Sequence, residues 1–316
     1  MYRYIFGPVP SRRLGISLGI DLIPPKTCSM DCIYCECGRT TSKSMKRRPF
    51  IPPDEVIEEL THYLDHNPSP DYVTLSGSGE PTLNSEMGKV IDFLASFPDR
   101  RYRIAVITNA SLLWQADVRR ELLRADVIMP SLDAATAEVF ERINRPHPDL
   151  TADKMVEGLA QLREQFRGEI WLEVFVVHGL NDTKQELDAL RRAIGKIRPD
   201  RVQLNTLDRP GTESWVRPAS PVELRRIIDY WRVDAEIIAR GGREAAGTEW
   251  RRDVESAILE TISRRPCTAG DLAQVLCLTE AETSRHIERL IQAGKVVQAN
   301  LQGKLFYRMP KHPAAE

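Results

Sequence analysis

Six short apolar runs rich in β-branched residues constrain this chain more than any other feature: ISLGIDLI (16–23), DYVTLSG (71–77), RIAVITNA (103–110), DVIMPSLD (126–133), WLEVFVVHG (171–179) and RVQLNTL (201–207). Stretches of helical period such as PPDEVIEELTHYL and TKQELDALRRAIGKI separate them, the alternation expected of a parallel sheet built from β/α units. Right-handed crossovers turn that plan into either a doubly wound sheet or a barrel, and the pattern alone does not choose between them. In both, binding and reacting groups collect at the C-terminal strand ends.

Those ends are polar here. A cysteine loop, KTCSMDCIYCECG, follows the first run; Ser76-Gly77-Ser78-Gly79-Glu80-Pro81-Thr82 follows the second, Thr108-Asn109 the third, Ser131-Leu132-Asp133 the fourth, His178-Gly179 the fifth, and Asn205 to Arg209 the sixth. One site can draw on all of them. Cys28, Cys32 and Cys35 are spaced C-x-x-x-C-x-x-C, and three thiolates can hold three irons of a cubane cluster while leaving the fourth open to another ligand. Structural zinc on Cys28, Cys32, Cys35 and Cys37 is the alternative, although a zinc site normally closes with a second Cys or His pair. Six cysteines, four of them in one loop, suit a reducing compartment and metal binding better than a disulfide framework.

A chain of 316 residues, 42% of them hydrophobic, supports one large domain and a small one. A net charge of −1 with 28% charged residues gives no global bias toward nucleic acid. MYRYIFGPVPSRR has no apolar stretch of signal-peptide length, and no run approaches the roughly 18 residues of a membrane span. A cytoplasmic protein without membrane contact is expected.

PVELRRIIDYWRVDAEIIA reads as a closing helix and GGREAAGTEW as a linker, which divides the chain into 1–240, a linker at 241–250 with its boundary near Gly247, and 251–316. In the last part, helical segments at 254–263, 269–276 and 280–292 precede two strands about Gln302-Gly303, the order of a winged helix-turn-helix. Thr268 with Asp271 and Thr279 with Glu282 have the spacing of helix-capping pairs. TEAETSRHIERLIQAG would be the groove-reading helix, with Thr283, Ser284, Arg285, His286 and Arg289 as donors. Ten Lys or Arg against eight Asp or Glu over 251–316 is a weak excess for DNA, so docking of a client protein or self-association is the competing use. Cys267 and Cys277 read as small core residues.

The cysteine motif with Tyr34 before its last cysteine, followed by G-S-G-E-P, resembles the radical S-adenosylmethionine (SAM) superfamily. GPVPSRRLGISLGID, SGSGEPTLN, ITNASLL, PSLDAATAEVFERINRPH, WLEVFVVHGLND and VQLNTLDRP together are similar to the iron–sulfur oxidoreductase branch related to the wyosine-forming tRNA enzymes, over roughly residues 1–215. The resemblance implies a partial (β/α)6 TIM-like barrel and a 4Fe–4S cluster on Cys28, Cys32 and Cys35 whose open iron binds the amino and carboxylate groups of SAM. Reductive cleavage would then give a 5′-deoxyadenosyl radical that abstracts hydrogen from an unidentified substrate, fed by an external flavodoxin- or ferredoxin-like electron donor.

By the same resemblance, Gly77 and Gly79 let the backbone approach the methionine amino group. Glu80 contacts the cofactor or braces the loop, Thr108 with Asn109, Ser131 and Asp133 bond the carboxylate or ribose, and Tyr34 lies near the adenine. Asp133 as a helix cap, Thr108 bonding locally and Tyr34 in the core stay open as structural readings. Cys37 is a spare thiol, a hydrogen donor to a substrate radical or a further ligand. Unlike the wyosine enzymes, the chain has no second cysteine set for another barrel cluster. Arg12, Arg13, Lys26, Arg145, His147, Glu173, His178, Asp208 and Arg209 are candidates for a polar substrate or for ordinary ion pairs. RNA modification, maturation of a protein or metallocofactor, and a cluster-based transcription regulator are the rival functions; the strand-end glycines and polar set count against the last.

Overall fold

A computed structural model describes residues 2–238, 254–276 and 278–310; the linker at 241–250, with Gly247, and Cys277 lie outside the described residues. The larger unit runs β1 (Ile5–Ser11), β2 (Gly15–Ile20), the two-residue pair β3 (Thr27–Cys28) and β4 (Ser42–Lys43), α1 (Pro53–His66), β5 (Tyr72–Leu75), α2 (Met87–Ser96), β6 (Arg103–Thr108), α3 (Ala116–Leu122), β7 (Val127–Pro130), α4 (Ala137–Asn144), α5 (Ala152–Gln165), β8 (Glu169–Val176), α6 (Lys184–Ile197), β9 (Arg201–Thr206), α7 (Pro221–Trp231) and β10 (Ala235–Ile237).

Strands β1-β2-β5-β6-β7-β8-β9-β10 form one sheet in that spatial order, parallel from β2 onward with β1 antiparallel on the edge. A doubly wound sheet reverses its strand order at a switch point. This one never does, so right-handed crossovers keep the helices on one face and the sheet curves around the other. All six expected strands are present, and two edge strands join them. One of these corrects the closing helix: a Ser220/Glu223 capping box starts α7, but the helix stops at Trp231 with Arg232 in the left-handed region. Ala235–Ile237 then pairs in parallel with Val202–Leu204 of β9, because an exposed sheet edge offers these residues a ladder that further helix would not.

Alternation along the strands sorts two interiors. Ile104, Val106, Leu172 and Val174 pack under the helices with Val90, Ile91, Leu159 and Leu190, each buried side chain contributing about 1.5–3 kcal/mol. Ala105, Val127, Met129 and Trp171 point the other way and close the lower lumen with Leu14. Above them Arg13 Nη1 lies 2.6 Å from the Glu173 carboxylate and 3.3 Å from Gln203 Oε1. Arg12 pairs with Asp208 and donates to the Ile238 carbonyl at 3.3 Å. Two arginines from the β1–β2 turn thus tie one edge of the open barrel to the other.

The C-terminal residues form α8 (Val254–Arg264), α9 (Ala269–Leu276), α10 (Glu280–Gln292) and an antiparallel pair, β11 (Val297–Leu301) and β12 (Lys304–Arg308). Ile258, Ile262, Cys267, Leu272, Ile287 and Leu290 make a separate core, which places Cys267 in packing as expected. Both capping pairs form. On α10, Thr283 is buried, His286 and Arg289 turn toward Glu255 at 3.5 and 3.9 Å, and Arg285 Nε lies 3.4 Å from the Ala281 carbonyl, with both arginines exposed. This unit rests on the barrel's strand ends: Arg264 lies 3.3 Å from the Asp21 carboxylate and 3.7 Å over the Phe6 ring, and Arg209 lies 3.2 Å from Asp271. Among the described residues no helix is long and apolar enough to cross a membrane.

Candidate active site

The cysteine loop leaves β2 and crosses the strand ends. Cys28 closes β3, and the turn that follows is held by a Cys35 N–H to Cys32 carbonyl bond of 3.1 Å. Each of the three motif cysteines then receives one side-chain N–H donor, with backbone N–H bonds from Met30 to Cys28 and from Cys37 to Cys35 beside them. Asn109 Nδ2 donates to Cys28 Sγ at 3.4 Å, Asn144 Nδ2 to Cys32 Sγ at 3.4 Å, and Lys26 Nζ to Cys35 Sγ at 3.6 Å. Cys37 hydrogen-bonds to Cys35.

Two buried carboxylates hold the two asparagines. Glu80, 2% exposed, accepts from the Thr82 hydroxyl at 2.5 Å, the Thr108 hydroxyl at 2.5 Å and the Asn109 backbone N–H at 2.7 Å. Asp133 accepts from the Tyr34 hydroxyl, from Asn144 Nδ2 at 2.7 Å and from the Phe175 N–H at 2.9 Å. Two relays result, Glu80 to Asn109 to Cys28 and Asp133 to Asn144 to Cys32. The Asn144 amide can be oriented only one way, because turning Oδ1 toward Asp133 would set two acceptors together. Its Oδ1 is left buried and without a partner.

Tyr34 stacks on Phe175 with ring centroids 3.8 Å apart, in a small core with Ile33, Leu207 and Val216. Gly79 is demanded by a close approach to the chain itself: a Cβ there would lie 2.1 Å from the Thr27 carbonyl oxygen, and one at Gly77 would strike the Asp21 carboxylate. Asp21 also accepts from the Ser78 N–H at 3.3 Å. Ser131 extends β7 by a bridge to Glu173. Of the residues considered for a polar substrate, Arg12, Arg13, Arg145 and Arg209 stand in ion pairs, Arg145 with Glu213 at 2.7 Å, and His178 Nδ1 hydrogen-bonds Asp182 at 2.9 Å. His147 lies 3.5 Å from Asp149.

Burial dominates the electrostatics. It pushes the Cys28 thiol up to about 12 and Cys32 well above the usual thiol value, whereas the bond from Cys37, with the nearby Lys26 ammonium, pulls Cys35 down. Burial also raises Glu80, and lifts Asp133 to about 6 against the pull of Tyr34 and Asn144. Metal ligation needs the thiolate, so ligation at Cys28 and Cys32 works against their burial while Cys35 is already disposed to it. Zinc on Cys28, Cys32, Cys35 and Cys37 would require four sulfurs to converge on one ion. Thiolates of a cubane ligate separate irons and need no such convergence. Three thiols, each with a side-chain N–H donor, beside an orphaned acceptor fit a cluster with a bound partner.

The sequence points to the strand-end residues but not to Asn144, which ends α4, nor to Asp21, Ser29 and Ser111, whose hydroxyls bond at 2.6 Å beneath Asn109. The only written signal for Asn144 is a polar residue on the apolar side of AEVFERIN, with the left-handed Arg145 after it.

The sequence profile of the Radical SAM superfamily matches residues 22–193. The chain is 37% identical to GTPase Obg of Brachyspira hyodysenteriae over 305 residues, 96% of this chain but only 45% of that relative's length. It is 33% identical to a UPF0026 protein of Methanocaldococcus jannaschii over 310 residues, 96% of this chain and 94% of the other. In structure it is similar to a radical SAM methyltransferase from Sphaerobacter thermophilus, with a TM-score of 0.54 and 16% identity over 70% of this chain and 65% of that one, which shows a shared fold.

Proposed function

The chain belongs to the radical SAM superfamily, and on that premise we propose that it is an oxidoreductase-type enzyme in which Cys28, Cys32 and Cys35 would hold the cluster that supplies the electron for reductive cleavage of SAM, leading to removal of a hydrogen atom from a substrate. It is a radical SAM enzyme, and its cofactors are a 4Fe–4S cluster and SAM. When bound, these supply one-electron cleavage of a sulfonium and thereby hydrogen abstraction from an unactivated carbon. The observation that carries the residue assignment is the donor placed on each motif sulfur.

The chain's own part is to hold and to exclude. Asn109, Asn144 and Lys26 fix the thiolates; Glu80 locks the Gly77–Thr82 loop to the end of β6; Asp133 fixes Tyr34 across the lumen. The Asn144 carbonyl offers a dry acceptor for a ligand N–H or O–H. The lower lumen, filled by Leu14, Met129 and Trp171, keeps solvent out from beneath.

Kinship with the wyosine-related branch is supported by the ordered sequence blocks. The three helices and strand pair of the C-terminal unit support a winged-helix assignment, and its near-balanced charge favours gripping a client protein over reading nucleic acid. A cytoplasmic location with a flavodoxin- or ferredoxin-like donor follows from the chemistry. The test is anaerobic reconstitution with iron and sulfide, reduction by dithionite with SAM, and chromatography for 5′-deoxyadenosine. Product from the native chain and none from Cys32→Ala is expected; a reconstituted cluster that yields no product would overturn the reading.

A further inference from the structure

Asn109 and Asn144 come from different β/α units, at the end of β6 and the end of α4, yet both aim an amide at the cysteine loop. Asp133 holds the Asn144 amide itself at 2.7 Å, whereas Glu80 holds the Asn109 backbone N–H at 2.7 Å and the Asn109 amide is oriented by Ser29 Oγ at 2.9 Å and the Ser111 N–H at 3.0 Å. Each donates one amide hydrogen to one motif sulfur at 3.4 Å. An amide needs no buried carboxylate merely to fill space, and two carboxylates kept at 2% and 4% exposure are costly to bury. That cost is explained if the amide geometry at sulfur matters. We propose that Asn109 and Asn144 are positioning residues that set the potential at which the cluster on Cys28, Cys32 and Cys35 accepts an electron.

The physical reason is electrostatic. An N–H aimed at a thiolate draws charge from the sulfur, and reduction adds one more negative charge to the cluster, so the donor favours the reduced form. Removing it makes reduction harder. The two amides act on different sulfurs of one cluster, so removing both should shift the potential further than removing either.

This inference rests on the radical SAM reading, and its test separates the two. Reconstituted native chain, Asn109→Ala, Asn144→Ala and the double variant are titrated with dithionite in the presence of redox dyes, and the reduced cluster is counted by electron paramagnetic resonance. Each single variant is expected to lower the equilibrium constant for reduction about tenfold, the order of one hydrogen bond to a charged acceptor, which is 59 mV for a one-electron couple; the double variant loses both. Asn109→Gln, which keeps an amide donor, should recover part of the loss. Unchanged potentials in variants with full iron and sulfide content overturn the inference and leave the enzyme assignment standing. Folded variants that fail to take up iron overturn it too, by making the amides necessary to ligation instead of to potential. A native chain that assembles no cluster overturns both readings.

Discussion

At the scale of single residues, the loop distributes protons unevenly over cysteines of one motif. Cys35 carries more thiolate at neutral pH than Cys28, whose thiol is raised to about 12, so in the iron-free protein iodoacetamide should modify Cys35 first at pH 7. Mass spectrometry of the time course reads this, and Lys26→Met should slow it; equal labelling of Cys28 and Cys35 would contradict the assignment. Asp133 titrates near 6 in the folded chain and near 3.9 when unfolded. A raised carboxylate adds stability below its unfolded value, and that contribution fades as pH climbs through 6. The iron-free native chain should therefore gain on Asp133→Asn in urea unfolding as pH falls from 7 to 4, by at most about 3 kcal/mol. A pH-independent difference would sink this prediction. The motif cysteines, Glu80, Thr108 and Asp133 were legible in the sequence because strand ends carry function in any β/α fold. Asn144 was not, because its role depends on α4 ending against the cysteine loop, a contact between residues 112 apart in the chain.

At the scale of elements, the six apolar runs announced their strands because both faces of a parallel sheet are buried and leave long apolar stretches. The edges were less readable. Ile5–Ser11 contains two prolines, and Ala235–Ile237 follows a helix without a turn signal, so both owe their strand state to a neighbouring ladder rather than to local preference. The Gly77–Thr82 loop shows how tightly an element end is fitted. Gly79→Ala places a carbon against the Thr27 carbonyl, backbone that cannot step aside, and should cost about 2 kcal/mol or more. A lower melting temperature with reduced iron uptake is the expected result; a variant as stable as the native chain would show that the loop has slack.

For the molecule as a whole, the link across the barrel is made by side chains where the backbone ladder is open. Arg13 and Glu173 are each 16% exposed, so Arg13→Met should cost about 3 kcal/mol by stranding a carboxylate in the lumen. Adding Glu173→Gln should restore much of that in chemical denaturation, and no recovery would mean that Arg13 acts through packing alone. The same link has a geometric corollary. With Leu14 and Trp171 sealing the floor beneath it, the barrel is a well and not a tunnel. Because Arg12 and Arg13 span the gap that, among the described residues, no strand hydrogen bonds close, the width of the barrel mouth is set by the length of side chains and not by the spacing of a ladder.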